Sequence, residues 1–342
     1  MKKNYKVLKL IGKGNYGKAF LVKNLEDDNL YVNKVIDMSH FSKDQLENAL
    51  HEVEILKSLQ HPNIIRCIDF FVEKNLLCLV TEYADLGDLS KIIKYQVLSG
   101  YFFAEEIILN WFVQLCFAIK YIHSKNILHR DLKLSNIFLT SKGNIKLGDF
   151  GIAKILSSKD ELTKTLVGTP YYLSPELCLK KPYNHKSDIW SLGCILYEMM
   201  YLKHAFEAES IGELVLNILQ GNYNTSINAG FSDGVINLLK SILVINPKYR
   251  PSIEQILTKT VLQKYIKINV VRLCEKLPDE VFEEIFEKDK EDEKEEKTKE
   301  KDKNLKNKNH SKGKQSKDGE IGNNNHIGYK NKEGFGNIRI FK

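Results

Sequence analysis

The sequence predicts an α+β fold in which a small N-terminal β-sheet lobe with one main helix precedes a larger, mainly helical C-terminal lobe. Two observations predict it. Up to about residue 100 the apolar residues mostly alternate in short runs, the period of half-buried strands. From Ala104 onward they recur at helical spacing in long segments. A chain of 342 residues with 43% hydrophobic content can build a substantial core. A crevice between two such lobes is a natural ligand site.

The elements follow in order. "YKVLKLIGKGNYGKAFLVKN" reads as strand, Gly-rich turn and strand, and "LYVNKVIDM" as a third strand. "DQLENALHEVEILKSLQ" has helical spacing, with Leu46, Leu50, Val53 and Leu56 on one stripe. "IIRCIDFFVEKNLLCLVTEY" reads as two strands joined at "EKN". "AEEIILNWFVQLCFAIKYIHSKN" is a long apolar-rich helix, and "SDIWSLGCILYEMMYL" is apolar almost all round, as a buried helix is. After about Lys264 the density of core residues falls. "LPDEVFEEIF" fits an amphipathic helix with Pro278 in its first turn. Beyond Phe286 the chain has too few apolar residues to offset its ordering entropy and is expected to be disordered.

Composition narrows the function classes. No apolar run approaches the roughly 20 residues of a membrane-spanning helix, and the start lacks a signal-peptide pattern, so neither is expected. The six cysteines are scattered without a C-x-x-C pair. Reduced thiols in a cytoplasmic or nuclear setting are therefore expected, and structural zinc is not. The net charge is +7. From Phe286 onward sixteen basic residues face twelve acidic ones, and the remainder is nearly balanced at 35 against 32. The folded part has no charge signature of nucleic-acid binding. The charge run in the tail reads as a solvated segment.

"GKGNYGKAF" sets glycines at positions 12, 14 and 17. Glycine lets backbone N–H groups approach phosphate oxygens. A dinucleotide fold would open a helix at the third glycine; "KAFLVKN" instead alternates like a strand, which favours a hairpin folded over phosphates. Lys34, mid-strand in "YVNKV", suits α/β-phosphates and needs a carboxylate to hold it; Glu52 and Glu54 in "HEVEIL" are both available.

"ILHRDLKLSNIFLT" crowds His129, Arg130, Asp131, Lys133 and Asn136 between apolar residues. Burying charge costs several kcal/mol unless it is paired, so the cluster needs a task. "NIFLT" and "NIKLG" can pair as a hairpin through "SKGN", bringing Asn136 and Asp149 together. An amide oxygen and a carboxylate are hard ligands suited to Mg²⁺, with water and substrate phosphates completing its shell. Asp131 is placed to accept a hydroxyl proton, and Lys133 to neutralise charge on a phosphoryl group. Positioning and charge stabilisation carry such a transfer.

Gly-rich loop, strand lysine, H-R-D-L-x-x-x-N, D-F-G and a P-E motif occur here in the order of the protein-kinase signature set, over roughly residues 5–265. More narrowly, "HPNIIR", "LGDFGIAK", "VGTPYYLSPE", "KPYNHKSDIWSLGC" and "LKHAFEA" resemble the NIMA-related (NEK) serine/threonine kinases. The resemblance implies a two-lobed kinase domain over 1–265, with an N-lobe of about 1–83 and a C-lobe of about 84–265. A helical extension over 266–286 and a charged Lys/Glu/Asn-rich tail over 287–342 follow. It implies ATP with Mg²⁺, for which Mn²⁺ can substitute.

By the same resemblance, Gly12, Gly14 and Gly17 cover the phosphates and Lys34 pairs with Glu52. Asp131 is the catalytic base, aided by Lys133, and Asn136 and Asp149 hold the metal. The hinge is Glu82-Tyr83-Ala84, with Thr81 as gatekeeper, Asp88 near the ribose and Val32 on the adenine side. Thr81 is smaller than the methionine common in this family, which implies a more open pocket behind the adenine. Glu176 and Arg250 match the buried pair that anchors the activation segment. Two departures stand out: Asn33 replaces an apolar residue beside Lys34, and A-P-E reads Ser174-Pro175-Glu176.

Arg130 before the catalytic aspartate implies control by activation-segment phosphorylation. Thr165 is the first candidate and Thr163 the second, with Arg130 and Lys154 as partners for the phosphate. Thr169 is expected to bond Asp131 and Lys133, and Ile152 leans toward threonine acceptors. The implied partners are protein substrates with Ser/Thr acceptors that carry an apolar residue upstream. An upstream kinase or autophosphorylation and a cytoskeletal partner are further expectations, as is a cytoplasmic, nuclear or cytoskeleton-associated location. The rival readings are a catalytically weak scaffold and a microtubule- or polyanion-binding protein acting through its tail.

Overall fold

A computed structural model describes residues 4–14, 17–149, 170–224 and 229–274; all fall within one unit, Met1–Lys288. Its first five strands form one antiparallel sheet: β1 (Tyr5–Gly14), β2 (Gly17–Asn24), β3 (Leu30–Asp37), β4 (Cys67–Glu73) and β5 (Leu76–Glu82), in the order β1-β2-β3-β5-β4. Between β3 and β4 comes helix α1 (Lys43–Ser58). Ser42 and Gln45 start it with a reciprocal capping box, which satisfies two otherwise unpaired N–H groups. Ala49 and Val53 are buried on its inner face against Ile36, Leu77 and Leu79 of the sheet, with Leu46, Leu50 and Leu56 packed around them. This is the apolar stripe of α1 meeting alternate residues of β3 and β5.

The second layer begins with α2 (Leu89–Ser99), capped by Asp88 and closed by Gly100 in a left-handed conformation. Helix α3 (Glu105–Ser124) follows. By length and composition it is apolar enough to cross a bilayer, but 83% of its apolar window is buried inside the protein. It is the central helix of the C-lobe core. Strands β6 (Ile137–Leu139) and β7 (Ile145–Leu147) pair as a two-stranded hairpin with Ile137 opposite Leu147.

Further helices of the lobe follow among the described residues: α4 (Pro175–Cys178), α5 (His185–Tyr201), α6 (Ile211–Gln220), α7 (Asp233–Ile242) and α8 (Ile253–Leu257). Every residue of α5 from Ser187 to Tyr201 is buried, matching its all-round apolar sequence. A Cβ at Gly193 would fall 2.7 Å from Leu243, so the close approach of α5 to the end of α7 needs glycine there.

The last described helix, α9 (Gln263–Cys274), crosses residue 265, the expected end of the domain. Its Asn269 donates to Asn110 Oδ1 of α3 at 2.8 Å, and Tyr265 and Leu273 are buried in the C-lobe core. The helix is built into that core rather than appended to it. The expected helix at 277–286 and the charged tail lie outside the described residues.

Candidate active site

A cavity of about 460 Å³ lies between the sheet and the C-lobe. Gly12, Val32, Lys34, Thr81 and Glu82 line it from the sheet, Ala84 from the connection between lobes, and Asp88 and Asp149 from the C-lobe side; Gly14 and Gly17 of the predicted set are not in its lining. Behind Thr81 the lining continues to Leu56, Cys67 and Leu79. Strand alternation places Val32 toward the cavity. Asn33 is fully buried and neither atom of its amide has a hydrogen-bond partner.

The Gly-rich hairpin joins β1 and β2, with Gly14 opposite Gly17. A Cβ on Gly17 would lie 2.1 Å from the carbonyl oxygen of Val35, so this glycine is required by the packing of β2 on β3. Gly12 carries no such restriction; a Cβ there meets only Ala19, at 3.6 Å.

The connection between lobes is stitched to the β6–β7 hairpin. Leu86 N–H donates to Leu139 O at 3.1 Å and Leu139 N–H to Gly87 O at 2.9 Å. Glu82 accepts from Lys146 Nζ at 2.7 and 2.9 Å and from Arg66 N–H at 2.7 Å. Asp88 is 8% exposed and its carboxylate is engaged locally. It caps α2 through Lys91 N–H at 3.2 Å, pairs with Lys91 Nζ at 3.0 Å and accepts from Ser90. Burial raises its pKa, but the bonds from Ser90 and Lys91 outweigh that and lower it overall.

The β6–β7 pairing sets Asn136 and Asp149 at one end of the hairpin, where Gly148 N–H donates to Asn136 O at 2.9 Å. Asn136 Nδ2 donates to Asp131 O at 2.8 Å and to Asp131 Oδ2 at 3.0 Å. Lys133 Nζ reaches the same Oδ2 at 2.8 Å. Asp131, Lys133 and Asn136 thus form one bonded cluster. Asn136 spends its NH₂ group on Asp131, which leaves its amide oxygen as the atom suited to a hard cation. With the half-exposed Asp149 carboxylate it forms an all-oxygen donor pair that fits Mg²⁺.

Lys34 corrects the sequence expectation. It pairs with Asp149 Oδ1 at 2.8 Å, not with Glu52. Glu52 is half-buried on α1 and its Oε2 has no hydrogen-bond partner. Burial pushes its pKa up to about 7, against a smaller opposing pull from Arg130. Lys34 instead lies against the half-exposed carboxylate of Asp149. Glu54, the alternative, is exposed on the outer face of α1.

One supporting residue, Asp188, escaped the sequence reading, and a second, His129, was read there only as part of the polar cluster. Asp188 is fully buried at the start of α5. It accepts from the backbone N–H groups of His129 at 3.1 Å and Arg130 at 3.2 Å, from Tyr183, and contacts His123 Nε2 at 2.8 Å. It holds the loop before Asp131, where Arg130 has a left-handed φ of 65°. His129 is buried and its pKa is lowered by burial, with Asp188 opposing. Its Nε2 faces Gly148 O at 3.0 Å, which assigns the proton there, and Nδ1 accepts from Asp131 N–H at 3.3 Å. The neutral ring therefore couples Asp131 to the segment that carries Asp149. An acid in the first turn of an apolar helix was the available signal for Asp188.

Glu176 and Arg250 form a buried pair with bonds of 2.9 and 3.1 Å, and Ser187 Oγ donates to Glu176 Oε1 at 2.7 Å. Burial raises the Glu176 pKa, but Arg250 outweighs it and the net direction is down. Arg250 also donates to the carbonyls of Val244, Ile245 and Lys186 and stacks over Trp190 at 5.1 Å. Ile152, Lys154, Thr163, Thr165 and Thr169 lie outside the described residues.

Residues 5–262 match the protein kinase domain. Among curated proteins, the chain is 47% identical over 263 residues to serine/threonine-protein kinase Nek1 of Mus musculus, covering 77% of this chain and 22% of that protein. It is 48% identical over 268 residues to the probable serine/threonine-protein kinase nek3 of Dictyostelium discoideum, covering 77% and 24%. It is 46% identical over 263 residues to serine/threonine-protein kinase Nek5 of Homo sapiens, covering 77% and 37%. The match therefore spans between 22% and 37% of the length of these relatives.

Proposed function

The chain belongs to the protein kinase family, with a kinase domain similar throughout to those of NIMA-related kinases, and on that premise we propose that it transfers the γ-phosphate of ATP to serine and threonine hydroxyls of proteins. The observation that carries the reading is the bonded cluster of Asp131, Lys133 and Asn136 next to the segment carrying Asp149, which with Lys34 lines a cavity large enough for a nucleotide.

The residues divide the work. Val32, Ala84 and the backbone between the lobes bind the adenine end. Lys34 neutralises phosphate charge once Asp149 turns to a cation. Asn136 Oδ1 and Asp149 would hold Mg²⁺, which supplies charge neutralisation on the phosphates. Lys133 and Asn136 fix the Asp131 carboxylate so that it can orient a hydroxyl and take its proton. Lys133 then lies beside the transferring group, where its charge is worth most.

Control by phosphorylation of Thr165, with Thr163 second and Arg130 and Lys154 as charge partners, belongs to the same proposal, as does an apolar preference upstream of the acceptor. So do autophosphorylation or an upstream kinase, and a cytoplasmic, nuclear or cytoskeletal location. With Lys34, Asp131, Asn136 and Asp149 all in place, the chemistry favours catalysis over a scaffold role.

The test is transfer from labelled ATP to a generic basic protein. Wild type is expected to label it, and Asp149→Ala and Asp131→Asn to reduce labelling at least a hundredfold. Equal labelling by wild type and Asp149→Ala would overturn the reading.

A further inference from the structure

Helix α9 is held to the body through one face. Asn269 donates to Asn110 Oδ1 of α3 at 2.8 Å, and Tyr265 and Leu273 are buried in the C-lobe core, with Ile266 and Val270 packed against it. Near the end of the helix Arg272 donates to Asn144 Oδ1 in the β6–β7 turn at 3.0 Å, so α9 is fixed up to its last turn. The opposite face carries Lys264, Lys267, Ile268 and Val271, one stripe at helical spacing. Ile268 is 48% exposed and Val271 62%. The outward face of α9 is thus two neighbouring β-branched apolar residues followed by two lysines.

The chain that comes next has the complementary pattern. Three residues, Glu275 to Leu277, separate α9 from Pro278. Proline suits the first position of a helix, and Asp279 and Glu280 suit the positive end of its dipole. Val281, Phe282, Ile285 and Phe286 fall on one stripe, bordered by Glu280, Glu283, Glu284 and Glu287. Residues 278–287 hold five acidic residues and no basic one. A helix with that stripe has to cover it, and a connection of three residues is of the length that joins two antiparallel helices.

We propose that residues 278–287 fold back as a helix on the outer face of α9, forming an antiparallel hairpin. This goes beyond the kinase reading and does not depend on it. The equal rise per residue of the two helices sets the register. Val271, three residues before the end of α9, comes opposite Val281 and Phe282, and Ile268 comes opposite Ile285. Lys267 then meets Glu284, and Lys264 meets Glu287. The segment is apolar where α9 is apolar and acidic where α9 is basic. A second copy of the α9 face would match the apolar residues but set basic groups near basic groups.

The hairpin decides where the chain leaves the body. Without it, departure is beside the β6–β7 turn, where Arg272 meets Asn144. Ser141 of that turn donates its N–H to Asp85, a residue that lines the nucleotide cavity. With it, departure is at the other end of α9, where Tyr265 lies near Glu106 and Glu105 at the start of α3.

The test uses the full chain with two pairs of introduced cysteines and a short bis-maleimide matched to the spacing of packed helices, about 8–10 Å. One pair is Lys264→Cys with Glu287→Cys, which the hairpin brings together. The other is Lys264→Cys with Asp279→Cys, closer in sequence but at opposite ends of the hairpin. Linked peptides are quantified by mass spectrometry. The 264–287 link is expected to exceed the 264–279 link at least fivefold. Adding Val281→Asp and Ile285→Asp should reverse that order. Lys267→Glu should lower the ratio about twofold, and Glu284→Lys on top of it should restore the ratio. In the chain without introduced cysteines, Val281→Asp with Ile285→Asp should lower the melting temperature by about 2–4 °C. A 264–279 link as abundant as the 264–287 link would overturn the proposal, because an unattached segment favours the shorter separation. Links between two copies that rise with protein concentration would overturn it too, by giving the face to a second chain.

Discussion

Lys34 donates to Asp149 Oδ1 at 2.8 Å, while Glu52 on α1 keeps a buried carboxylate oxygen with no partner. The cation of the nucleotide site is thus bound to the acid that a metal needs, and the acid expected to hold that cation stands apart. Any ligand that takes Asp149 leaves Lys34 in want of an anion, and Glu52 is the group expected to supply it.

The isolated Glu52 gives a pH-dependent stability. With its pKa pushed up to about 7, the folded state resists ionising it. That cost is absent below the ordinary glutamate range near 4.3, grows between there and 7, and is complete above 7. Glu52→Gln removes it. In nucleotide-free protein the variant is expected to melt roughly 1–3 °C higher than wild type at pH 8, with a clearly smaller difference at pH 5. Differential scanning fluorimetry at the two pH values checks this; an equal shift at both would contradict it. The same variant should lose phosphoryl transfer by about tenfold or more, since Lys34 then lacks its second anion.

Asp188 organises the loop without touching the cavity. Asp188→Asn leaves a side chain of the same shape that can no longer accept from every donor now aimed at it. The expected cost is about 2–4 kcal/mol in urea unfolding, the range for a broken buried charge network, with kcat falling more than KM rises. Burial raises the Asp188 pKa, but the interactions with His123 and the bond from Tyr183 help to outweigh it and lower it. Its contribution to stability is therefore full above the ordinary aspartate range and is lost only as pH falls through the depressed value. Wild type and Asp188→Asn should accordingly converge in stability only under strongly acid conditions.

The Glu176–Arg250 pair should behave as an anchor whose halves cannot be removed singly. Arg250→Met leaves a buried carboxylate with Ser187 alone, and a loss of about 3–5 kcal/mol is expected. Arg250→Met with Glu176→Gln should cost clearly less than the sum of the two single changes. A double-mutant cycle in urea measures the coupling, and additive losses would remove the anchor role.

Phosphorylation supplies the next test. Thr165→Ala is expected to lower activity strongly in autoactivated protein, and phosphatase treatment of wild type should do the same. Full activity of the phosphatase-treated enzyme would exclude this form of control.

Much of this architecture is legible in the sequence because it depends on local pattern. The β6–β7 hairpin follows from two apolar triplets flanking Ser141–Asn144, and it alone places Asn136 next to Gly148. The stripe on α1 and the all-round apolarity of α5 likewise specify what they pack against. The partner of Lys34 is different in kind. It depends on where α1 sits and on the balance of burial and charge at Glu52 and Asp149, separated by 97 positions in the chain. Asp188 was hidden for a related reason: its partners His129 and Arg130 lie nearly 60 residues earlier. What apolar periodicity does not show is that α9 is fastened to the C-lobe core, because one of its fasteners is a polar residue, Asn269.

Glu82 carries a mechanical consequence. Its carboxylate is gripped at once by Lys146 of the C-lobe hairpin and by the Arg66 amide beside β4. Together with the backbone bonds among Leu86, Leu139 and Gly87, this makes the strand's end a fulcrum next to the strand pair that bears Asn136 and Asp149. When the crevice widens, displacement must grow with distance from that fulcrum, so the glycine hairpin swings furthest and the adenine edge hardly moves. Entry and exit of a ligand then proceed by lifting the outer rim while the inner register stays set.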